Sequence, residues 1–238
     1  MAVFLAAAAA QVNAADSIGS AWSYTGSTAP AHWANLDAQY AACEGQNQSP
    51  INISETVNAA LTPLEFSYEA EVQQIIQNEH TLQLNVKEGA FVLLDGQPFQ
   101  LKQFHIHTPS ENTLLGKQYP MELHLVHVNA AGELAVVALM YEEGSENQAL
   151  KTLQKLAALP QATKKKVTFQ AASLLPKQLE YYRFNGSLTT PPCTEGVRWI
   201  VLKDIQQASK AQLQIFSQMF QHGNSRPVQP QNARLVLH

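Results

Sequence analysis

The sequence has no Lys or Arg anywhere in its first third. The first basic residue is Lys87, whereas eight acidic residues lie between Asp16 and Glu79. The formal net charge of the 238-residue chain is -4 at pH 7. Nucleic-acid-binding domains carry clustered Lys and Arg and a strongly basic balance. The sequence therefore predicts no nucleic-acid partner, and we interpret its acidic N-terminal third as a solvated surface.

The sequence also lacks the features that divide a chain into separate units. It has no Pro-, Gly- or Ser-rich linker, no internal repeat and no low-complexity tract. A chain of this length forms either one large domain or two small ones. The hydrophobic fraction of 45% is typical of a globular protein. We therefore expect residues 16–238 to form a single domain.

A long apolar run is missing as well. Residues 3–15, with the sequence VFLAAAAAQVNAA, are too few to span a membrane. They resemble the apolar region of a secretory signal, with Val12-Asn13-Ala14 as a small-residue cleavage site. The basic residues that usually precede such a region are absent. A truncated or altered start of the signal would explain their absence. We interpret residues 1–15 as a signal peptide, with a buried N-terminal helix as the alternative, and predict a periplasmic or secreted protein without a membrane span.

Cysteine is scarce, since Cys43 and Cys193 are the only two. In an exported chain, an isolated pair of cysteines usually forms a disulfide. Free buried thiols are the alternative. A disulfide would close a loop of about 150 residues and would hold the segment that follows Thr190.

Short runs in which apolar and polar residues alternate dominate from Ser49 to Gln103. Breaks rich in Pro, Gly and Asn separate them. This pattern is typical of a many-stranded, mainly antiparallel sheet.

Two helices are predicted to interrupt the strands. Ser145–Gln148 and Ser209–Gln212 both have the sequence of a capping box, and Gly223 is a plausible C-cap for the second helix. The apolar residues at helical spacing are Leu150, Leu153 and Leu156 in the first helix, and Leu213, Phe216 and Phe220 in the second.

Four of the eight histidines lie within Gln103–Val128. Because side chains alternate along a β-strand, His105 and His107 share one face. Phe104 and Ile106 occupy the opposite face. A strand that is packed on both faces should be apolar on both, so the polar face requires an explanation.

The second strand of this stretch, Met121–Val128, places Glu122 and His124 on one face in the same way. Burying an imidazole without a partner is costly, and a bound metal ion offsets that cost for several imidazoles at once. Three histidines with one open coordination position are typical of a catalytic zinc site. The sequence therefore predicts that His105, His107 and His124 bind zinc. Satisfied core histidines are the alternative.

Two further polar residues precede these histidines by two positions on the same face. They are Gln103, before His105, and Glu122, before His124. Metal-bound histidines usually donate their other N–H to a carboxylate or an amide oxygen. We therefore expect Gln103 and Glu122 to orient the ligands.

The motifs QFHIHTPSE, ELHLVH, NGSLTTPPC, VRWIVLK and NQSPINI together resemble the α-class carbonic anhydrases, and most closely their secreted bacterial members. The similarity extends from about Trp22 to Leu237. It implies an α+β, mainly β fold, with a central, mostly antiparallel, ten-stranded twisted sheet and a few peripheral helices. It also implies a zinc enzyme that hydrates CO2 reversibly to bicarbonate and a proton, by attack of zinc-bound hydroxide on CO2 in an apolar pocket.

The resemblance assigns roles to individual residues. The zinc ligands and their hydrogen-bond partners match those expected above. Thr189 would be the gatekeeper, Glu111 would orient it, and His80 would be the proton shuttle. The residues implied around the substrate are Val126, Val136, Leu188, Thr189, Thr190 and Trp199, and those implied around an ordered water network are Tyr24, Asn78 and Gln83.

Three positions depart from the family pattern. Asn112 stands where many members have histidine, Phe184 where a tyrosine is common, and Thr108 where animal members have tryptophan. We expect these departures to change details of the site and not the reaction. The resemblance also implies binding of sulfonamides and small anions, and it allows a homodimer.

Two other functions compete with this interpretation. His105, His107 and Glu111 have the spacing of a cupin-type mononuclear metal site, which predicts a Gly-rich segment around a third histidine, and that segment is missing here. A catalytically silent carbonic-anhydrase-like binding protein would have lost a zinc ligand, whereas all three ligands are present.

Overall fold

The computed structural model describes residues 21–159 and 167–238. The predicted signal peptide, residues 1–15, lies outside these ranges. One large β-sheet dominates the fold, and the described chain has fourteen strands in all. These strands are β1 Asn52–Ile53, β2 Glu65–Tyr68, β3 Glu71–Gln77, β4 Leu82–Val86, β5 Ala90–Leu94, β6 Gln97–His107, β7 Thr113–Leu114, β8 Lys117–Gln118, β9 Met121–Val128, β10 Leu134–Glu143, β11 Val167–Gln170, β12 Tyr181–Ser187, β13 Glu195–Leu202 and β14 Gln206–Ala208.

The main sheet has eleven strands, and eight of them lie side by side in the order β11-β3-β4-β6-β9-β10-β13-β12. Strands β2 and β5 extend from β6, and the short β14 pairs with β10. Nearly all pairings are antiparallel, and the exceptions in this sheet are β10 with β13 and β10 with β14. A second sheet contains only β1, β7 and β8. The predicted fold class is confirmed, with one strand more than the ten expected.

Strands β6 and β9, which are neighbours at the centre of the sheet, carry the polar residues identified in the sequence. They pair antiparallel, with His105 opposite His124 and His107 opposite Glu122. Residues that face each other across a ladder point to the same side of the sheet. The register therefore brings all three predicted ligands to one face at the centre of the sheet.

Both faces of the sheet are covered by apolar side chains. The larger core lies on the face opposite the imidazoles and includes Phe104 and Ile106, which are fully buried. The face that carries the imidazoles has a smaller apolar cluster, which includes Val126, Val136 and Trp199. The sheet is thus stabilised mainly from one side, and the other side is free to form a site.

Within the described residues, three α-helices lie outside the sheets: α1 Trp33–Leu36, α2 Gln148–Ala157 and α3 Lys210–Gln218. The capping box predicted for α3 is confirmed, since Ser209 and Gln212 each bond to the other's backbone N–H. The helix ends at Gln218 with Met219 as its C-cap, so the expectation for Gly223 was wrong. None of the helices in the described ranges has the length and hydropathy needed to cross a bilayer.

The capping box predicted at Ser145 is wrong. Helix α2 begins two residues later than that motif implies, and Asn147 is its N-cap, with Oδ1 accepting from the N–H of Leu150 at 3.1 Å. The Ser145 hydroxyl donates instead to Gln207 at 2.8 Å. Asn is as good an N-cap as Ser, so the sequence allowed either start.

The N-terminal segment consists of short helical turns, with 3-10 helices at Gly26–Thr28, Pro30–His32 and Ala38–Glu44. It is pinned to the body of the protein by a disulfide between Cys43 and Cys193, which are 150 positions apart. The predicted disulfide is therefore confirmed. Trp33 and Tyr40 pack against it in a small buried cluster.

We expect the Cys43–Cys193 disulfide to contribute about 2–5 kcal/mol to the free energy of unfolding, because it closes a long loop in the unfolded chain. Urea denaturation of the wild type and of the double variant Cys43→Ala/Cys193→Ala measures the difference. A reducing agent should lower the midpoint of the wild type and leave that of the variant unchanged. Equal midpoints for the oxidised wild type and the variant would contradict this expectation.

Candidate metal centre

Three imidazoles from two neighbouring strands meet on one face of the sheet. His105 and His107 come from β6, and His124 comes from β9. The ring centroids are separated by 4.9 Å for His105–His107, 5.3 Å for His105–His124 and 4.5 Å for His107–His124. One ligand nitrogen from each lies within 4.8 Å of the other two. No other group of three His, Cys, Asp or Glu side chains in the described ranges is placed to share an ion in this way.

In each imidazole, one ring nitrogen points away from the other two rings and is hydrogen-bonded to an acceptor. His105 Nδ1 donates to Gln103 Oε1 at 2.8 Å, and His124 Nε2 donates to Glu122 Oε1 at 3.0 Å. A neutral imidazole carries one N–H and one lone pair. Because these acceptors take the N–H, the lone pairs of His105 Nε2 and His124 Nδ1 are left for the centre of the cluster.

The partner of the third imidazole could not be found in the sequence. His107 Nδ1 donates to the backbone carbonyl of Asn224 at 2.7 Å, across 117 positions of the chain. A backbone carbonyl gives no residue-type signal, so only the fold identifies it. The Asn224 side chain fixes this contact, since it also accepts from Thr108 N at 2.8 Å and donates to Ile106 O at 2.8 Å.

The three remaining nitrogens fit a metal ion. His107 Nε2 is buried and has no hydrogen-bond partner within the described chain. Burial lowers the pKa of His105, His107 and His124 and keeps each imidazole in the neutral form that binds metals. A cluster of three imidazole nitrogens is a donor set that suits zinc.

A buried carboxylate adjoins the cluster. Glu111 Oε2 lies 3.5 Å from His107 Nε2 and 3.9 Å from His124 Nδ1. Burial raises the pKa of Glu111 to about 8, and the nearby Thr189 side chain opposes this increase. Thr189 follows β12 and is itself buried. The structure thus brings Glu111 and Thr189 together beside the three histidines, although 78 positions separate them.

Arg226 is a second residue that sequence reasoning missed. Its backbone N–H donates to Glu111 Oε1 at 2.8 Å. Its buried guanidinium donates to Gln48 Oε1, to Ser49 O and to Cys43 O, each at 2.8 Å. Arg226 therefore connects the carboxylate beside the imidazoles to the segment that the disulfide anchors. An isolated Arg near the end of a sequence gives no signal of such a role.

An apolar wall adjoins His124. Val126 pairs with Val136, and Val136 pairs with Trp199, so the three form a row across β9, β10 and β13. All three are buried, and the Trp199 ring meets the His124 ring edge-on at 4.9 Å. Leu188 packs against the same cluster and, like Thr190, is half-buried. The wall contains no charged group.

His80 lies at the turn between β3 and β4. Its ring stacks on Trp22 at 4.5 Å, and Tyr24 lies 6.1 Å away. The Asn78 side chain accepts from the backbone N–H of His80 at 2.9 Å and so holds the turn. The His80 carbonyl accepts from Asn224 Nδ2 at 3.1 Å. Asn224 thus contacts both the His80 turn and His107.

Gln83 faces the same side of the sheet as the imidazoles. It pairs with His105 across β4 and β6 and is buried. Its Nε2 donates to Asn85 Oδ1 at 2.7 Å. This bond fixes the amide, so Gln83 Oε1 is the end that remains available as an acceptor.

The three positions that depart from the family pattern are all buried. Phe184 stacks on Trp199 at 5.9 Å with an interplanar angle of 4°. The Thr108 backbone N–H donates to Asn224. The Asn112 side chain donates to Glu122. Burial raises the pKa of Glu122, and the hydrogen bonds from Asn112 oppose this increase.

Residues 28–238 match the family model described as eukaryotic-type carbonic anhydrase. The chain belongs to the α-carbonic anhydrase family. The carbonic anhydrase of Pectobacterium atrosepticum is 48% identical over 220 residues, which cover 91% of this chain and 90% of that protein. The carbonic anhydrase of Klebsiella pneumoniae is 49% identical over 223 residues, which cover 91% of this chain and 90% of that protein.

Solved structures of the same family share the fold. The α-carbonic anhydrase of Photobacterium profundum is 49% identical, with a TM-score of 0.84, and the match covers 92% of this chain and 100% of that one. The enzyme from Thermovibrio ammonificans, in complex with the inhibitor sulfanilamide, is 40% identical, with a TM-score of 0.88 and the same coverage. The resemblance seen in the sequence is confirmed. The protein is an enzyme of the carbonic anhydrase family, and its relatives support CO2 hydration as its activity.

We expect His124→Ala to abolish stoichiometric binding of zinc, because two imidazoles do not complete the donor set. Metal analysis after dialysis against trace zinc measures the bound equivalents. His222→Ala is the matched control, since His222 is an exposed histidine that does not belong to the cluster. Retention of one equivalent of zinc by the folded His124→Ala variant would exclude His124 as a ligand.

Proposed function

We propose that this protein catalyses the zinc-dependent, reversible hydration of CO2 to bicarbonate and a proton. The observation that carries the proposal is the convergence of three imidazole lone pairs beside a buried carboxylate. His105, His107 and His124 would hold the ion, and Gln103 and Glu122 would keep two of these imidazoles in the required tautomer and orientation. Zinc bound there would act as a Lewis acid and lower the pKa of a coordinated water to about 7.

Glu111 and Thr189 would orient the nucleophile. The Thr189 side chain lowers the pKa of Glu111, as a nearby hydroxyl does, and an ionised carboxylate can only accept, so the hydroxyl would be the donor between them. The Thr189 oxygen can then accept a hydrogen bond from the reacting water or hydroxide. Burial alone favours the protonated form of Glu111, but a nearby divalent cation and the N–H of Arg226 both favour the carboxylate. This arrangement directs the nucleophile's lone pair toward the apolar wall.

The apolar wall would hold CO2. CO2 carries no net charge and has weak hydrogen-bonding capacity, so a site without a strong polar anchor suits it. Val126, Val136, Leu188 and Trp199 provide such a surface, and Thr189 and Thr190 lie at its edge. The product is an anion that this wall cannot stabilise, which favours its release to water.

A proton must leave the site in each cycle. The ligand imidazoles cannot carry it, because their N–H groups are bound to Gln103, Glu122 and the Asn224 carbonyl. Imidazole is the side chain that ordinarily titrates near neutral pH. His80 would transfer the proton to solvent, and Tyr24, Asn78 and Gln83 would order the water between His80 and the site.

We further propose that residues 16–238 form one exported domain that is active in the periplasm or outside the cell, after removal of residues 1–15. The disulfide supports an oxidising compartment. Sulfonamides and small anions are expected inhibitors, because they can compete for an open position on zinc. The complex of the Thermovibrio enzyme with sulfanilamide supports this expectation.

The proposal is tested by zinc analysis and stopped-flow CO2 hydration of the wild type, Thr189→Val and Thr189→Ser. We expect one zinc per chain in all three proteins. Thr189→Val removes the hydroxyl without removing a ligand, so hydration should slow by roughly 100-fold. Thr189→Ser keeps the hydroxyl and should retain most of the activity.

Zinc without CO2 hydration in the wild type would instead support a silent binding protein. Iron or manganese without hydration would support the cupin-type alternative. Equal rates for Thr189→Val and the wild type would exclude the role of Thr189 while leaving the reaction itself in place.

We expect His80→Ala to slow turnover by at least about tenfold in a weak buffer, because proton export then limits the rate. Added imidazole should restore much of the rate, since it replaces the missing side chain. His32→Ala is the control, because His32 is an exposed histidine to which no role in the site is assigned. An unchanged rate and no response to imidazole would argue against His80 as the shuttle.

A further inference from the structure

Asn112 lies at the end of the loop that follows β6 and is completely buried. Its Oδ1 accepts from the backbone N–H of Ile51 at 3.1 Å. Its Nδ2 donates to Glu122 Oε1 at 2.8 Å. A flipped amide would place NH2 against the Ile51 N–H and oxygen against the carboxylate, so the surroundings fix its orientation. The side chain therefore presents a donor, and only a donor, to Glu122.

The Glu122 carboxylate receives hydrogen bonds on both oxygens. Oε2 accepts from the backbone N–H groups of Glu111 and Asn112, both at 2.8 Å. Oε1 receives the Asn112 amide and faces His124 Nε2 at 3.0 Å. The backbone bonds do not depend on the identity of residue 112. The Asn112 side chain is thus the one replaceable donor that fixes the oxygen bound to His124.

The surroundings leave no substitute for this donor. Ile51 and Glu122 are fully buried, as is Asn112 itself. Solvent therefore cannot reach the position that Nδ2 occupies. Without that donor, only the backbone bonds to Oε2 would hold the carboxylate, and the hydrogen bond that Oε1 accepts from His124 Nε2 would lose its direction.

We propose that Asn112 is a positioning residue for the metal centre. It holds Glu122 Oε1 as an acceptor, which keeps the N–H of His124 on Nε2 and leaves Nδ1 directed toward His105 and His107. Loss of its amide donor loosens the hold on the metal, although Asn112 touches neither the metal ligands nor the substrate wall. This inference rests on the proposed zinc site and adds a residue that the expected ligand and partner sets do not include.

The test measures zinc release from the loaded protein into excess chelator. Asn112→Leu has nearly the same shape but no hydrogen-bonding groups, and we expect it to release zinc about 10–100 times faster. Asn112→His can present one N–H and one lone pair, the same two groups as the amide, and should release zinc close to the wild-type rate. The visible spectrum of the cobalt-substituted proteins should change in the leucine variant only, because the His124 ring is then less constrained.

Thr113→Val is the matched control. Thr113 is the next residue, is also buried, and donates to Asn52 Oδ1 at 2.8 Å and not to Glu122. This control tests whether the loss of any hydrogen bond in this segment speeds the release of zinc. If Asn112→Leu does not fold, Asn112→Val replaces it, because that smaller side chain also has no hydrogen-bonding group and adds no charge. It should also release zinc faster.

The inference is overturned if the folded Asn112→Leu or Asn112→Val variant releases zinc at the wild-type rate. It is also overturned if Thr113→Val or Asn112→His releases zinc as fast as Asn112→Leu, because the effect would then come from packing. Failure of the wild type to bind zinc would be a different result, since it would overturn the proposed function itself.

Discussion

The structure depends on one arrangement: each of three imidazoles donates its N–H outward, so that its lone pair points inward. Two of these imidazoles are buried and the third is half-buried, and an unpaired buried nitrogen is costly. Gln103, Glu122 and the Asn224 carbonyl satisfy the outer nitrogens. They cannot satisfy the inner ones, and this leaves a cost that a bound cation would offset. The burial that disfavours the metal-free site is therefore also what favours occupation by a metal ion.

Distant segments complete the site. Strands β6 and β9 provide the imidazoles, but Asn224 and Arg226 come from the C-terminal segment and Thr189 from the loop after β12. Arg226 holds Glu111 through its backbone and the Cys43 carbonyl through its guanidinium. The position of Glu111 is thus tied to the region of the disulfide, and not only to its own loop. These contacts hold the Glu111 carboxylate in place in addition to the packing of its own loop.

The alternation of side chains was sufficient to predict which residues of β6 and β9 share a face, because that rule is local. The capping box at Ser209 is local too and was predicted correctly. The predicted start of α2 was wrong because Asn147 and Ser145 are both suitable N-cap residues, and Asn147 takes that position. Asn224 and Arg226 were missed because both act through the backbone or over more than a hundred positions, where residue type carries no signal. Family resemblance placed Glu111 beside Thr189, and alternation alone could not have done so.

His127 shows what burial alone does not provide. It lies on β9, three residues after His124, is fully buried, and has a pKa that burial lowers to about 3. It points to the opposite face, where its Nε2 is 2.6 Å from the hydroxyl of Tyr68. Two imidazoles on one strand are thus both buried, neutral and hydrogen-bonded. Only His124 has other imidazoles across the ladder, so the register between β6 and β9, and not the burial of histidine, distinguishes a metal centre from a core residue.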